Sequence, residues 1–208
     1  MSIREKRIIL VEGKDDCYFM SQLLKHKAIN AIMVESFNGK DKLTSHINSL
    51  IKRDGFDEVI SMLIFMDSDK SAGSAGDSIN YSLRSTGLIA NNIVSFKVSN
   101  QFDRKIGFGL FPGYDEKGEL HNTGTLEDLC VHLFKENSNR DLIINYLDDF
   151  QAKNGDFRQR HKNELHALFS FTDKYVGLKI GTTAEAGGFD FDSPYLEPFI
   201  KLINEAVL

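Results

Sequence analysis

Glu58 to Met66 is nearly continuous in apolar residues and stops abruptly at Asp67-Ser68-Asp69. A run of this kind suits a central parallel strand, which meets helices on both faces and has no solvent side on which polar residues would alternate. Such a strand needs neighbours, and the residues before it supply them. Arg7 to Val11 is β-branched and Leu-rich, and Ala31 to Val34 is a second apolar run. Helical stretches fall between: Cys17, Met20, Leu23 and Leu24 share one face of a helix expected over Asp15 to Lys27. Leu43, Ile47, Leu50 and Ile51 mark another after the turn signal Asn38-Gly39. Alternating strands and helices build a parallel sheet covered by helices.

Ser71 to Asp77 is small and Gly-rich and reads as a loop, after which a helix over Ser78 to Leu88 and a strand from Ile93 to Val98 would complete a βαβαβαβ core. The pattern then changes. Ile106, Phe108 and Leu110 alternate with glycines, a strand or hairpin arm ahead of the turn-rich Pro112 to Gly118. Leu126, Leu129, Cys130, Leu133 and Phe134 keep the spacing of an amphipathic helix. Three more helices are expected, over Asp141 to Phe150, Phe157 to Phe171 and Tyr195 to Val207, with a Gly- and Asp-rich connector, GTTAEAGGFDFDSP, between the last two. The 208 residues suffice for one full core but not two ordinary domains. Residues 1–100 are therefore expected to form the α/β core, and 101–208 an arm and helical extension packed on the same domain.

No apolar run approaches the roughly 20 residues of a membrane span. The N-terminus, MSIREKRIILVEG, lacks the long apolar stretch of a secretory signal, so a cytoplasmic location is expected. Cys17 and Cys130 fit no zinc spacing and read as free core thiols. The net charge of -5 argues against a broadly basic surface, so contact with a polyanion would need local Lys/Arg patches or bound metal.

Ligands of an open parallel sheet bind at the carboxyl ends of its strands, and acidic residues of this chain stand there. Glu12 follows the first strand directly, and Asp67 and Asp69 follow the third. Gly13 permits a tight turn into the helix, and Asp16 lies one turn beyond Glu12. Converging carboxylates on rigid strand ends meet the demand of Mg²⁺ for hard oxygen donors. Each residue also has a plainer reading. Asp15 and Asp16 suit the positive end of a helix dipole, and Asp67-Ser68-Asp69 suits strand-ending turn chemistry. Glu12 is harder to explain that way, since a carboxylate closing a buried strand is costly unless paired. Thr125 and Asp128 match a helix-capping pattern, which leaves Glu127 on the polar side of the first turn.

VEGKDD from Val11 to Asp16, followed by IFMDSD from Ile64 to Asp69, resembles the two motifs of the Toprim domain. That domain is shared by topoisomerases, bacterial primases, recombination proteins and the overcoming-lysogenization-defect nucleases. LEDL from Leu126 to Leu129 and the C-terminal DSPYLEPFIKLI are similar to a small stand-alone Toprim-like family of unknown function, which extends the resemblance over nearly the whole chain. The first two motifs together are fairly specific.

The resemblance implies a Rossmann-like Toprim core with C-terminal helical decoration. It implies that Glu12 is the catalytic acid/base or a metal ligand, and that Asp67 and Asp69 bind Mg²⁺, with Mn²⁺ as a substitute. By similarity to the nuclease branch, Asp16 and Glu127 would complete a two-metal arrangement. Two metals about 4 Å apart activate a water and stabilise the leaving oxygen of an in-line displacement. A downstream lysine, Lys162 in preference to Lys174 or Lys179, would neutralise charge developing on phosphate. Lys40 stands at another strand end, as a substrate contact or an ordinary surface lysine.

The expected function is Mg²⁺-dependent hydrolysis of phosphodiester bonds in nucleic acid, with DNA or RNA open and a partner ATPase as a possible supplier of substrate. A Toprim module that binds metal, nucleotide or protein without turnover is the alternative. IFMDSDKSA also imitates the Asp-x-Asp signature of haloacid-dehalogenase-like phosphatases, but that motif follows the first strand of its domain and here follows the third.

Overall fold

The computed structural model describes residues 2–115, 117–135 and 138–207. Five strands form one sheet: β1 (Arg7–Val11), β2 (Met33–Ser36), β3 (Ser61–Asp67), β4 (Val98–Gln101) and β5 (Arg104–Phe111), in the order β2-β1-β3-β5-β4. All neighbours are parallel except β4, which runs antiparallel along β5 at the edge. The helices are α1 (Lys14–His26), α2 (Leu43–Leu50), α3 (Ala72–Ser85), α4 (Leu126–Leu133), α5 (Arg140–Asn154), α6 (Arg160–Ser170), α7 (Ile180–Glu185) and α8 (Glu197–Val207). The chain is an α/β fold with a Rossmann-like core and a helical C-terminal part, as the alternating pattern requires. No helix among the described residues is long and apolar enough to cross a membrane.

Alternation along the strands divides the core into two layers. Ile9, Val11, Leu63 and Phe65 face α1 and the C-terminal helices, while Ile8, Leu10, Met62, Ile64 and Met66 face α2 and α3. Both faces of β1 and β3 are thus dry, and each such side chain contributes roughly 1.5–3 kcal/mol by leaving water. Because α1 and α2 pack on opposite faces, the strand order reverses direction between β1 and β3. The carboxyl ends of these two strands border a crevice there.

Four expectations need correction. Ser71 to Asp77 is not a loop: α3 starts at Ala72, capped by Ser71 Oγ, which accepts a hydrogen bond from Ser74 N–H at 3.2 Å. The small residues serve close packing, since Ala72 and Ala75 are buried and Gly76 lies against the Phe108 ring. Ile93 to Val98 is not the fourth parallel strand. Asn80 of α3 takes the backbone of Ile93 instead, its Oδ1 accepting from Ile93 N–H at 2.8 Å and its Nδ2 donating to Ile93 O at 3.1 Å. With those groups satisfied by a side chain, the chain meets β5 only from Phe96, whose N–H donates to Phe108 O at 2.7 Å, and the regular ladder begins at Val98.

The parallel place beside β3 goes to β5, registered from Ser61 against Lys105 to Asp67 against Phe111. Residue 100 lies within β4, so the sheet runs across the 1–100/101–208 division. Its glycines permit close approach: a Cβ on Gly109 would stand 2.7 Å from the Phe65 ring. Finally, the Gly- and Asp-rich connector contains α7, which packs on α1 with Gly181 against Tyr18. The turn-rich Pro112 to Gly118 includes Glu116, outside the described residues.

Candidate metal centre

β1 ends at Val11, and Glu12 is the first residue past the sheet. Its backbone carbonyl accepts from Ser36 Oγ at 2.9 Å and Gly39 N–H at 3.1 Å, so the turn into α1 is held by the β2 loop. The side chain is half-buried, and its Oε2 is buried with no hydrogen-bond partner. Burial raises the Glu12 carboxyl above its usual range, as do the charges of Asp69 and Asp16, against a smaller opposing effect of Lys40.

One turn into α1, Asp16 Oδ2 accepts from Gly13 N–H at 2.8 Å. The helix-start reading of Asp16 is therefore satisfied, yet the same carboxylate is driven up by burial and then by the charges of Glu127 and Asp15. Its neighbour Asp15 faces elsewhere, with Oδ1 accepting from Gly181 N–H of α7 at 3.4 Å.

Asp67 closes β3. Its Oδ1 accepts from Leu126 N–H at 2.8 Å, the first helical amide of α4, and so joins the end of β3 to a helix start. Burial, with the charges of Asp16, Glu12 and Glu127, pushes Asp67 up to about 8, against the opposing bond from Leu126. Asp69 turns away at φ +49°. Its N–H and carbonyl pair with Gly124 at 2.8 and 3.0 Å, and its Oδ2 meets Lys40 Nζ at 2.8 Å.

From the opposite side, α4 brings Glu127. Its Oε1 meets Lys162 Nζ of α6 at 2.9 Å. Burial works to raise Glu127, but the hydrogen bond and charge of Lys162 outweigh it and hold the carboxyl below its usual range. Next to this pair, Asp128 Oδ2 accepts from Thr125 N–H at 2.8 Å and Thr125 Oγ1 at 3.1 Å, forming the expected cap, and lies 3.7 Å from His161 Nδ1.

The structure thus brings Glu12, Asp16, Asp67 and Glu127 into one electrostatic cluster, with Asp69 coupled to it through Glu12. Glu12, Asp67, Asp69, Lys40 and Lys162 line a cleft of about 1250 Å³. Lys174 and Lys179 do not line it. Lys174 Nζ lies 4.9 Å from the Tyr175 ring centre, and Lys179 stands at the start of α7. Both thiols are free: Cys130 is buried below the acidic cluster, and Cys17 is half-buried.

The donor set is all carboxylate, suited to a hard cation. Among the described residues, however, no three His, Cys, Asp or Glu side chains converge as a ready-made metal group. Two of the carboxylates are instead engaged by lysines, Asp69 by Lys40 and Glu127 by Lys162. Sequence reasoning missed other cleft residues: Ser68, whose buried Oγ lacks a partner, and Lys70, Arg158 and His161. Arg158 precedes α6 and His161 lies in its first turn, and their only local signal was the basic RQRHK run.

Three comparisons bear on this arrangement. A family model described as "Protein of unknown function (DUF3226)" matches residues 6–208. Hypothetical protein PH0156 from Pyrococcus horikoshii OT3 is similar with a TM-score of 0.55 and 15% identity, over 100% of this chain and 96% of that one. The C-terminal region of the Xanthomonas campestris pv. campestris OLD protein is similar with a TM-score of 0.53 and 15% identity, over 98% of this chain and 96% of that one. At such identity the likeness is one of fold. No curated protein matches.

Proposed function

The chain belongs to the DUF3226 family of proteins of unknown function, and from that premise we propose that its cleft is the active site of a divalent-metal-dependent hydrolase of phosphodiester bonds in nucleic acid. The observation that carries this reading is the acid gathered at the strand ends: Glu12 Oε2 is buried without a partner, beside an Asp67 pushed to about 8 by burial and then by its acidic neighbours. A native fold that keeps such a group in place retains it for a cation or a reaction rather than for stability.

Glu12, Asp67 and Asp69 are the residues that would hold Mg²⁺, or Mn²⁺ in its stead, and Asp16 with Glu127, once Lys162 leaves it, would complete the site of a second ion. When bound, the metal supplies Lewis acidity and an activated water. The chain's own groups do the rest. Lys162, already placed over the acids, neutralises charge that develops on phosphate. Lys70 and Arg158 on the cleft lining attract the polymer backbone locally, despite the net charge of -5. The fold shared with the C-terminal region of an OLD protein agrees with the likeness of VEGKDD and IFMDSD to the two motifs of the Toprim domain. Delivery of the acid to this acidic protein by a partner ATPase is part of the same reading.

Incubation of labelled DNA and RNA with Mg²⁺ or Mn²⁺ tests it. Cleavage by the wild type should disappear in Glu12→Gln and Asp67→Asn. Failure of the wild type to cut either polymer with either metal sinks the hydrolase.

A second reading, a metal- or nucleotide-binding module without turnover, is favoured by the two lysines seated on would-be ligands. Calorimetry that records metal binding where no cleavage occurs selects it.

A further inference from the structure

The loop after β2 is tied beneath Glu12. Phe37 N–H donates to Val11 O at 2.9 Å, and Gly39 N–H and Ser36 Oγ both donate to Glu12 O. Asn38 and Gly39, at φ +58° and +107°, turn the chain so that Lys40 arrives at the strand ends. Its backbone is thus tethered through β1, while its ammonium reaches across to Asp69 of the β3 end at 2.8 Å. The side chains of this pair are 56% and 42% exposed, so the attraction is screened by water and cheap to break. Beside it lies the unpartnered Glu12 Oε2. The Lys40 side chain already lines the cleft that Lys70, Arg158 and Lys162 share.

Resting on the metal reading above, we propose that Lys40 is a resident counter-ion of the Glu12–Asp69 side, displaced when a divalent cation takes Asp69 and released to a substrate phosphate. A divalent ion on Asp69 repels the ammonium a few ångströms away, and the tethered loop keeps the side chain at the cleft it already lines. Metal binding then does two things for a polyanion: it cancels acidic charge and frees a lysine. Metal and polyanion strengthen each other's binding by the same factor, and Lys40 sets part of that factor.

The test uses the whole protein with Ca²⁺ by calorimetry, and a phosphorothioate single-stranded oligonucleotide by fluorescence anisotropy with and without saturating Ca²⁺. Lys40→Met should bind Ca²⁺ about five-fold more tightly than the wild type, because the competing cation is gone. Lys70→Met removes equal charge from the same cleft and should change Ca²⁺ affinity less. The gain in oligonucleotide affinity on adding Ca²⁺ should be smaller in Lys40→Met than in the wild type.

Three results overturn the inference and leave the metal reading standing: no tighter Ca²⁺ binding in Lys40→Met, an equal effect of Lys70→Met, or an undiminished oligonucleotide gain. A wild type that gives no heat with Ca²⁺, Mg²⁺ or Mn²⁺ overturns both.

Discussion

Lys162 of α6 and Glu127 of α4 meet at 2.9 Å, beside carboxylates that arrive from α1 and β3. The contact joins α6 to α4, whose first amide, Leu126 N–H, donates to Asp67 at the end of β3. Burial disfavours the Lys162 ammonium, yet the bond to Glu127 and the charges of Glu127, Asp67 and Asp16 raise its pKa overall. Lys162 is therefore a cation held by the site as a whole.

Lys162→Met leaves the mostly buried Glu127 carboxylate without its partner and should cost about 1–2 kcal/mol in stability. The double variant with Glu127→Gln should cost less than the sum of the single changes. Urea denaturation of the four proteins checks this, and strict additivity would deny the coupling.

Asp67→Asn should weaken Mg²⁺ binding without unfolding the protein, since Asn keeps an oxygen for Leu126 N–H while one acidic ligand is lost. Unchanged affinity by calorimetry would sink that expectation. Metal-free stability should also change its pH dependence. The native Asp67 carboxyl titrates at about 8, above its unfolded range near 4. Between those values the native state binds a proton that the unfolded state does not, so this group makes stability fall as pH rises from about 4 to about 8. Denaturation midpoints at pH 5 to 9 should show that fall flattened in Asp67→Asn relative to the wild type.

Glu12→Gln removes the charge of a half-buried carboxylate whose Oε2 has no partner. The metal-free protein should gain about 1 kcal/mol, while cleavage and metal affinity drop together. A variant that is less stable than the wild type and still binds metal equally well would place Glu12 in a purely structural role.

Gly109→Ala puts a Cβ 2.7 Å from Phe65 in the sheet-to-α8 layer and should destabilise by about 1–3 kcal/mol. Phe65→Leu in the same chain should recover part of that loss, as thermal melts of the two variants would show.

Local chemistry made several features readable from residue order alone. Strand β1 keeps its expected bounds, the Asn38-Gly39 turn has the positive φ values its residues favour, and Thr125 with Asp128 caps α4. Each depends on neighbours within a few residues. The strand-end position of Glu12 and Asp67 was legible for the same reason: an apolar run that ends in an acid marks where a buried strand leaves the core. Where small residues and side-chain bonds compete with such patterns, order alone misleads. Ser71 as a cap makes KSAGSAGD the start of a helix, and Asn80 withdraws Ile93 from the sheet.

Residue order determined that a carboxylate would stand at the end of each of two buried strands, because apolar periodicity and turn chemistry act locally. Only the tertiary structure decided which residues meet there. β5 lies beside β3 through hydrogen bonds across 44 residues of chain, from Ser61 to Lys105. Lys162 reaches Glu127 because α6 packs on α4, and Lys40 reaches Asp69 because the β2 loop is tied to β1. Those pairings depend on distance in space between surfaces far apart in sequence, and no local pattern encodes it.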